Sequence, residues 1–197
     1  TKPFTTAHRA DLQLWLEFLA KATNGISIDL LTYRQPDVTC WSDACPTGMG
    51  GYTSDGVAWR WEIPIHLRGN LTLNCLEYLA CILTIDLYLQ SKPPSVEFSC
   101  IKSFLDNTSA IGWLHHSSFD EHTHSTHVHL ARHLASTMLT NDACLFSQHI
   151  PGDQNVVADS LSRDFHISLE TLNSLIVSNL QVHESFRIPP LPADLES

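Results

Sequence analysis

Apolar residues recur at Leu12, Trp15, Leu16 and Leu19 within Ala10 to Ala22, the spacing of one helix face, and Asn24-Gly25 ends the run. A leading helix is predicted there. From Asp37 the period shortens to two, so that Val38 to Ser42, Gly50 to Ser54 and Val57 to Ile63 read as strands, with Ser54-Asp55-Gly56 as a hairpin turn. Leu71 to Leu89 is apolar nearly all round, through Leu73, Leu76, Leu79, Ala80, Leu83 and Leu87, as in a helix packed deep against a sheet. Ser91-Lys-Pro-Pro-Ser95 ends it. Val96 to Leu105 predicts a fourth strand, Asn107 to His115 a short helix, Ser125 to Leu139 another helix and Ala143 to His149 a fifth strand. Ile150-Pro-Gly-Asp-Gln154 leads into a helix over Asn155 to Ser162. Leu169 to Leu180 predicts a last helix, and Ile188-Pro-Pro-Leu-Pro192 an extended linker. There is no internal repeat.

Three strands, a helix, a strand, helices, a strand and a helix make an α/β layer. The expected architecture is a five-stranded mixed sheet flanked by helices, with the antiparallel meander at one side and crossover helices on its faces. The chain of 197 residues is long enough for one domain with a proper core plus flanks. That domain is expected over residues 36–164, with a leading helix and linker over 1–35 and a trailing helix and Pro-rich linker over 165–197.

Composition changes the picture in three ways. An apolar share of 43% fits a globular protein rather than a disordered one, and no apolar run approaches the length of a membrane span. The six cysteines, Cys40, Cys45, Cys75, Cys81, Cys100 and Cys144, include no C-x-x-C pair and mostly lie in apolar stretches, so buried free thiols in a reducing compartment are expected. The sequons at Asn70 and Asn107 then read as chance matches. A formal net charge of −10 with only 11 basic residues predicts weak intrinsic affinity for nucleic acid, which a neighbouring domain or bound metal would have to supplement. The opening Thr1-Lys-Pro-Phe-Thr-Thr-Ala-His has neither a signal core nor an initiating Met, as expected of a piece cut from a longer chain.

Four acids fall where the predicted elements could bring them together. Asp43 ends the first strand, Glu77 lies one or two turns into the long helix, Asp106 ends the fourth strand and Asp159 sits in the helix after the fifth. If the first and fourth strands are neighbours, Asp43 and Asp106 emerge side by side, and Glu77 can face them. Clustered carboxylates repel and raise one another's pKa unless a cation neutralises them. Mg²⁺ takes such oxygen ligands, and two ions about 4 Å apart can activate a water and stabilise a leaving oxygen. Each acid also has a plainer reading: Asp43 as a turn residue, Asp106-Asn107-Thr108-Ser109 as a helix N-cap, Glu77 and Asp159 as solvated helix charges. Against this, Glu77 stands in the otherwise apolar Leu73-Asn-Cys-Leu-Glu-Tyr-Leu-Ala-Cys-Ile82, where a lone acid is costly.

Four segments, Trp41-Ser-Asp-Ala-Cys-Pro-Thr-Gly-Met-Gly-Gly51, Asn74-Cys-Leu-Glu-Tyr-Leu-Ala80, Leu105-Asp-Asn-Thr-Ser-Ala110 and His149-Ile-Pro-Gly-Asp-Gln-Asn-Val-Val-Ala-Asp-Ser-Leu-Ser-Arg163, resemble the ribonuclease H domain that follows reverse transcriptase in retroelements. The nearest likeness is to long-terminal-repeat and tyrosine-recombinase retrotransposon polyproteins, over about residues 36–164. The resemblance implies a ribonuclease H-like fold and hydrolysis of the RNA strand of RNA–DNA hybrids, leaving 3′-hydroxyl and 5′-phosphate ends. It assigns Asp43, Glu77, Asp106 and Asp159 to a D-E-D-D site for two Mg²⁺ ions, with Mn²⁺ as a substitute. It also places Asn74, Asn107, Thr108 and Asn155 at the hybrid. The implied partners are that hybrid and the reverse transcriptase domain of the same polyprotein, with no membrane. The implied location is the cytoplasm, in a virus-like particle or replication complex, or the nucleus. Residues 1–35 then correspond to the end of the polymerase connection.

Two departures accompany the likeness. Many family members carry a histidine in the loop before the last helix, whereas Pro151-Gly-Asp-Gln-Asn155 holds none and His149 belongs to the strand. The basic substrate-binding protrusion is also missing. Both features keep open an alternative, a domesticated and catalytically weak or inactive interaction module. An integrase or exonuclease of the same fold fits less well, because the glutamate comes second, on the first long helix. The histidines His115, His116, His122, His124, His127, His129 and His133 raise a zinc hypothesis, since His129 and His133 share a helix face. Without an H-E-x-x-H motif or cysteine partner, a polar helix and loop is the favoured reading, with partial protonation below neutral pH as a weak phosphate contact.

Overall fold

The computed structural model describes residues 3–23, 25–30, 32–116, 119, 124–180, 187 and 189. His122 and most of the predicted 188–192 linker lie outside the described residues. The strands are β1 (Val38–Cys45), β2 (Gly48–Thr53), β3 (Ala58–Glu62), β4 (Ser99–Leu105) and β5 (Ala143–His149). The helices are α1 (Thr6–Ala22), α2 (Leu73–Ser91), α3 (Thr108–His115), α4 (Ser125–Thr140), α5 (Val156–Arg163) and α6 (Leu169–Leu180). One five-stranded sheet runs in the order β3-β2-β1-β4-β5, antiparallel through β3-β2-β1 and parallel through β1-β4-β5. The expected mixed sheet flanked by helices is present.

Short connections close the meander, and α2 supplies the long crossover that brings β4 back parallel to β1. Its all-round apolar surface is used on both sides. Ala80, Leu83 and Leu87 join Met49, Val57 and Trp59 in one buried cluster, whereas Tyr78, Ile82 and Ile85 join Ile101, Leu105, Leu114 and Leu134 in another. All six cysteines are buried with free thiols.

The first hairpin is tighter than its sequence predicts. Asp43, Ala44 and Cys45 continue β1 and pair with Gly50, Met49 and Gly48, so the loop contracts to Pro46-Thr47. Asp43 therefore stands inside a strand rather than at its end, and Gly48 joins Gly50 and Gly51 within β2. Close packing explains them. A Cβ on Gly50 would lie 2.5 Å from Leu161 Cβ and 2.8 Å from the Leu161 carbonyl carbon of α5. On the opposite face, a Cβ on Gly51 would collide with the Thr84 hydroxyl of α2, which accepts a 3.0 Å hydrogen bond from Trp59 Nε1. Two helices thus press on β2 from opposite sides. The fourth strand starts at Ser99 rather than Val96, because the Val96 N–H turns back to the Pro93 carbonyl at 3.0 Å.

The leading helix begins four residues earlier than its apolar run, where Thr5 and His8 form a capping box. Its orientation is the reverse of the usual one. Ala7 is buried, Asp11 receives Arg132 Nε of α4 at 2.8 Å, and Lys21 Nζ donates to the Leu139 carbonyl and lies 2.7 Å from Asp142. The stripe Leu12, Trp15, Leu16 and Leu19 faces outward, Trp15 and Leu16 each being 61% exposed. A groove of about 960 Å³, lined in part by Leu14, Phe18, Ile26, Phe98 and Met138, runs beside this helix on different elements from the acids. At the other end of the chain, α6 buries Leu172 and Ile176 in a cluster with Tyr52, Ala58, Val157 and Leu161. None of the described helices is long and apolar enough to cross a membrane.

Gly50→Ala should destabilise the fold by about 1–3 kcal/mol, the usual cost of overpacking a filled interior, because the new methyl meets α5 main chain. Leu16→Gln should shift stability by less than about 0.5 kcal/mol, as expected of an exposed site. Chemical denaturation of the two variants checks both.

Candidate active site

Adjacent parallel strands place the first pair of acids. Trp41 is level with Phe104 in the β1–β4 ladder, so two residues further on Asp43 in β1 comes beside Asp106, just past the end of β4. Glu77 reaches the same point from the second turn of α2, whose N-terminus is capped by Thr72. Carboxylate oxygens of Asp43, Glu77 and Asp106 all lie within 4.8 Å of one another. Among the described residues this is the one group of three or more His, Cys, Asp or Glu side chains placed to share an ion.

Burial makes the cluster electrostatically costly. Asp43 is 2% exposed and Glu77 4% exposed. Desolvation, reinforced by the charges of Asp43 and Asp106, pushes Glu77 up to about 9 from its ordinary 4.5, although an Ala44 backbone hydrogen bond and Arg163 pull the other way. Desolvation likewise raises Asp43 from 3.8 to about 6. There the Ser162 hydrogen bond opposes it, the charges of Asp106 and Asp159 add to it, and Arg163 opposes it more weakly. Glu77 Oε2 is buried and has no hydrogen-bond partner. A buried carboxylate oxygen without a partner is costly unless a cation neutralises it, and the all-oxygen donor set of the three acids fits a hard ion.

The fourth expected acid stands apart. Asp159, on α5, has a 48% exposed side chain and is not in the three-acid group. Its Oδ1 is 2.5 Å from Arg163 Nε, one helical turn on, and the same guanidinium places Nη2 3.9 Å from Asp43 Oδ2. Ser162, between them in sequence, donates its hydroxyl to Asp43 Oδ2. Sequence reasoning singled out neither Ser162 nor Arg163, although the i, i+4 spacing of Asp159 and Arg163 is a legible acid–base pair.

The residues expected at the hybrid divide into two kinds. Asn107, rather than Asp106, caps α3, accepting the Ala110 N–H at 3.0 Å, and its amide nitrogen donates to Asn74 Oδ1 at 2.8 Å. The cap reading for Asp106 is thereby corrected, and its carboxylate stays with the cluster. Thr108 is exposed beside Asn107. Asn155, by contrast, is 1% exposed and donates to the Ser42 carbonyl at 3.0 Å, fastening the start of α5 to β1. Gly152, in the loop before α5, approaches so closely that a Cβ there would lie 3.1 Å from Asp106 Oδ2.

The histidines do not assemble into a further ligand group among the described residues. His133 Nε2 is 2.6 Å from Asp86 Oδ2 on α2, and His127 packs edge-on against Trp113 with ring centroids 4.4 Å apart. His149 sits exposed at the end of β5, paired with Leu105.

No protein-family model and no curated protein matches the chain. Among solved structures it is similar to RNase H1 from the halophilic archaeon Halobacterium salinarum, at 19% identity and a TM-score of 0.43 over 64% of this chain and 95% of that one. It is also similar to the N-terminal RNase H domain of Rv2228c from Mycobacterium tuberculosis, solved as a fusion with maltose-binding protein. That likeness has 16% identity and a TM-score of 0.45, over 71% of this chain and 97% of that one. Both are distant.

The raised acids give stability a definite pH dependence. The folded, metal-free protein keeps protons on Glu77 and Asp43 that the unfolded chain has released, so it loses stability as pH rises from about 4.5 towards 9 for Glu77 and from 3.8 towards about 6 for Asp43. Glu77→Gln should stabilise the chelator-treated protein by about 1–3 kcal/mol at pH 8 and leave it unchanged at pH 4. Urea unfolding at the two pH values checks this.

Proposed function

We propose that this chain is a metal-dependent endonuclease of the ribonuclease H type, hydrolysing the RNA strand of an RNA–DNA hybrid during reverse transcription of a retroelement. The observation that carries the reading is the convergence of Asp43, Glu77 and Asp106, with a buried Glu77 oxygen left unpartnered among them. The motif resemblance over residues 36–164 supports the hybrid as substrate and a reverse transcriptase domain of the same polyprotein as neighbour.

Asp43, Glu77 and Asp106 would hold Mg²⁺, or Mn²⁺ in its place, with Asp159 beside them on α5. Two such ions, when bound, would supply activation of the attacking water and stabilisation of the leaving oxygen, consistent with 3′-hydroxyl and 5′-phosphate ends. The protein's own part is placement. Asp43 is fixed by its strand ladder and by Ser162, and Glu77 by the buried helix that carries it. Asn107 and Thr108 directly follow Asp106 in sequence, and Asn74 is hydrogen-bonded to Asn107, where amides and a hydroxyl suit the minor groove and the 2′-hydroxyl that marks RNA. Asn155, from its buried place, acts by seating α5. With 11 basic residues against 21 acidic ones, the domain offers few phosphate contacts, so a neighbouring domain presents the hybrid.

The test is Mg²⁺-dependent cleavage of a labelled hybrid. Cleavage should stop on chelation and fall to background in Asp43→Asn, while single-stranded RNA stays intact. An uncut hybrid with the protein in its full polyprotein would instead favour the interaction-module reading.

A further inference from the structure

The acid site contains a cation of its own. Arg163 closes α5 with its guanidinium between two carboxylates, Nε 2.5 Å from Asp159 Oδ1 and Nη2 3.9 Å from Asp43 Oδ2. The side chain is about half exposed, so it can swing into water without a large desolvation cost. Asp159 meanwhile holds this arginine through Oδ1 and is not in the three-acid group, although its charge still acts on Asp43. Resting on the metal-site reading given above, we infer that Arg163 is a built-in counter-ion, which holds Asp159 off the cluster when no divalent ion is bound and yields Asp159 and Asp43 when one arrives.

The physical reason is a competition between unequal charges. A monovalent guanidinium offsets part of the repulsion among buried acids and so supports the metal-free fold. A divalent ion offsets more at shorter range, and a partly solvated i, i+4 pair is worth little enough to be displaced. Arg163 is then a positioning residue, acting through Asp159. Ion binding is weakened by the arginine that must leave, and the metal-free protein is protected by the same arginine.

Calorimetric titration of Mn²⁺ into chelator-treated protein tests this, with thermal unfolding of each variant alongside. Arg163→Gln should bind Mn²⁺ about five- to tenfold more tightly and unfold at a lower temperature without metal. Arg163→Lys, which keeps the charge, should stay within about twofold of the wild type. The gain should vanish when Asp159→Asn is added to Arg163→Gln. Unchanged or weaker Mn²⁺ binding in Arg163→Gln, with a wild-type site that Asp43→Asn abolishes, would overturn the counter-ion role alone. No Asp43-dependent Mn²⁺ binding in the wild type would overturn the metal-site reading itself.

Discussion

The close approach of α5 to β2 is the constraint on which the site rests. Without side chains at Gly48 and Gly50, the sheet lets Leu161 and Phe165 come against its main chain. That contact brings Ser162 within reach of Asp43 and Asn155 within reach of Ser42. On the other face, Gly51 admits Thr84 and so lets α2 settle at the depth that carries Glu77 to the strand ends. A thin place in the sheet therefore sets the spacing of three acids that come from three different elements.

Such spacing works against stability. Burial and mutual repulsion both favour the neutral acids, and the hydrogen bonds from Ser162 and Ala44 recover only part of the loss. Two apolar clusters that share the faces of α2 absorb this cost. Local conflict within an otherwise consistent fold is the pattern expected of functional or strained sites.

Much of this was legible in the sequence. The switch from helical to alternating period at Asp37 marks where the antiparallel meander begins, and the apolar surface of the 71–89 segment already reads as a helix packed deep against a sheet. That Asp43, Glu77 and Asp106 could meet was legible from their places in the predicted elements, and the apolar company of Leu76, Tyr78 and Leu79 already counted against Glu77 as a solvated charge. Other features were hidden for physical reasons. A run of glycines signals a turn and a close approach equally well, so only the helices above and below β2 decide between them. The stripe on α1 has the spacing of a core-facing helix, yet ion pairs to Arg132 and Asp142 turn it outward. Periodicity reports that a face exists, not which side it takes. That Asp159 stands outside the three-acid group is a matter of side-chain placement, which no spacing rule specifies.

The anchoring of α5 also bears on time. Asn155 fastens its first turn and Ser162 its last, both to adjacent residues of one strand, Ser42 and Asp43. A helix of two turns held at both ends must break buried hydrogen bonds to rock or slide, which places any such motion among the slow events of microseconds and beyond. Rearrangement of Asp159 and Arg163 is left to side-chain rotation, which at exposed positions takes picoseconds to nanoseconds. The acid site can thus reset far faster than any element that carries it can move.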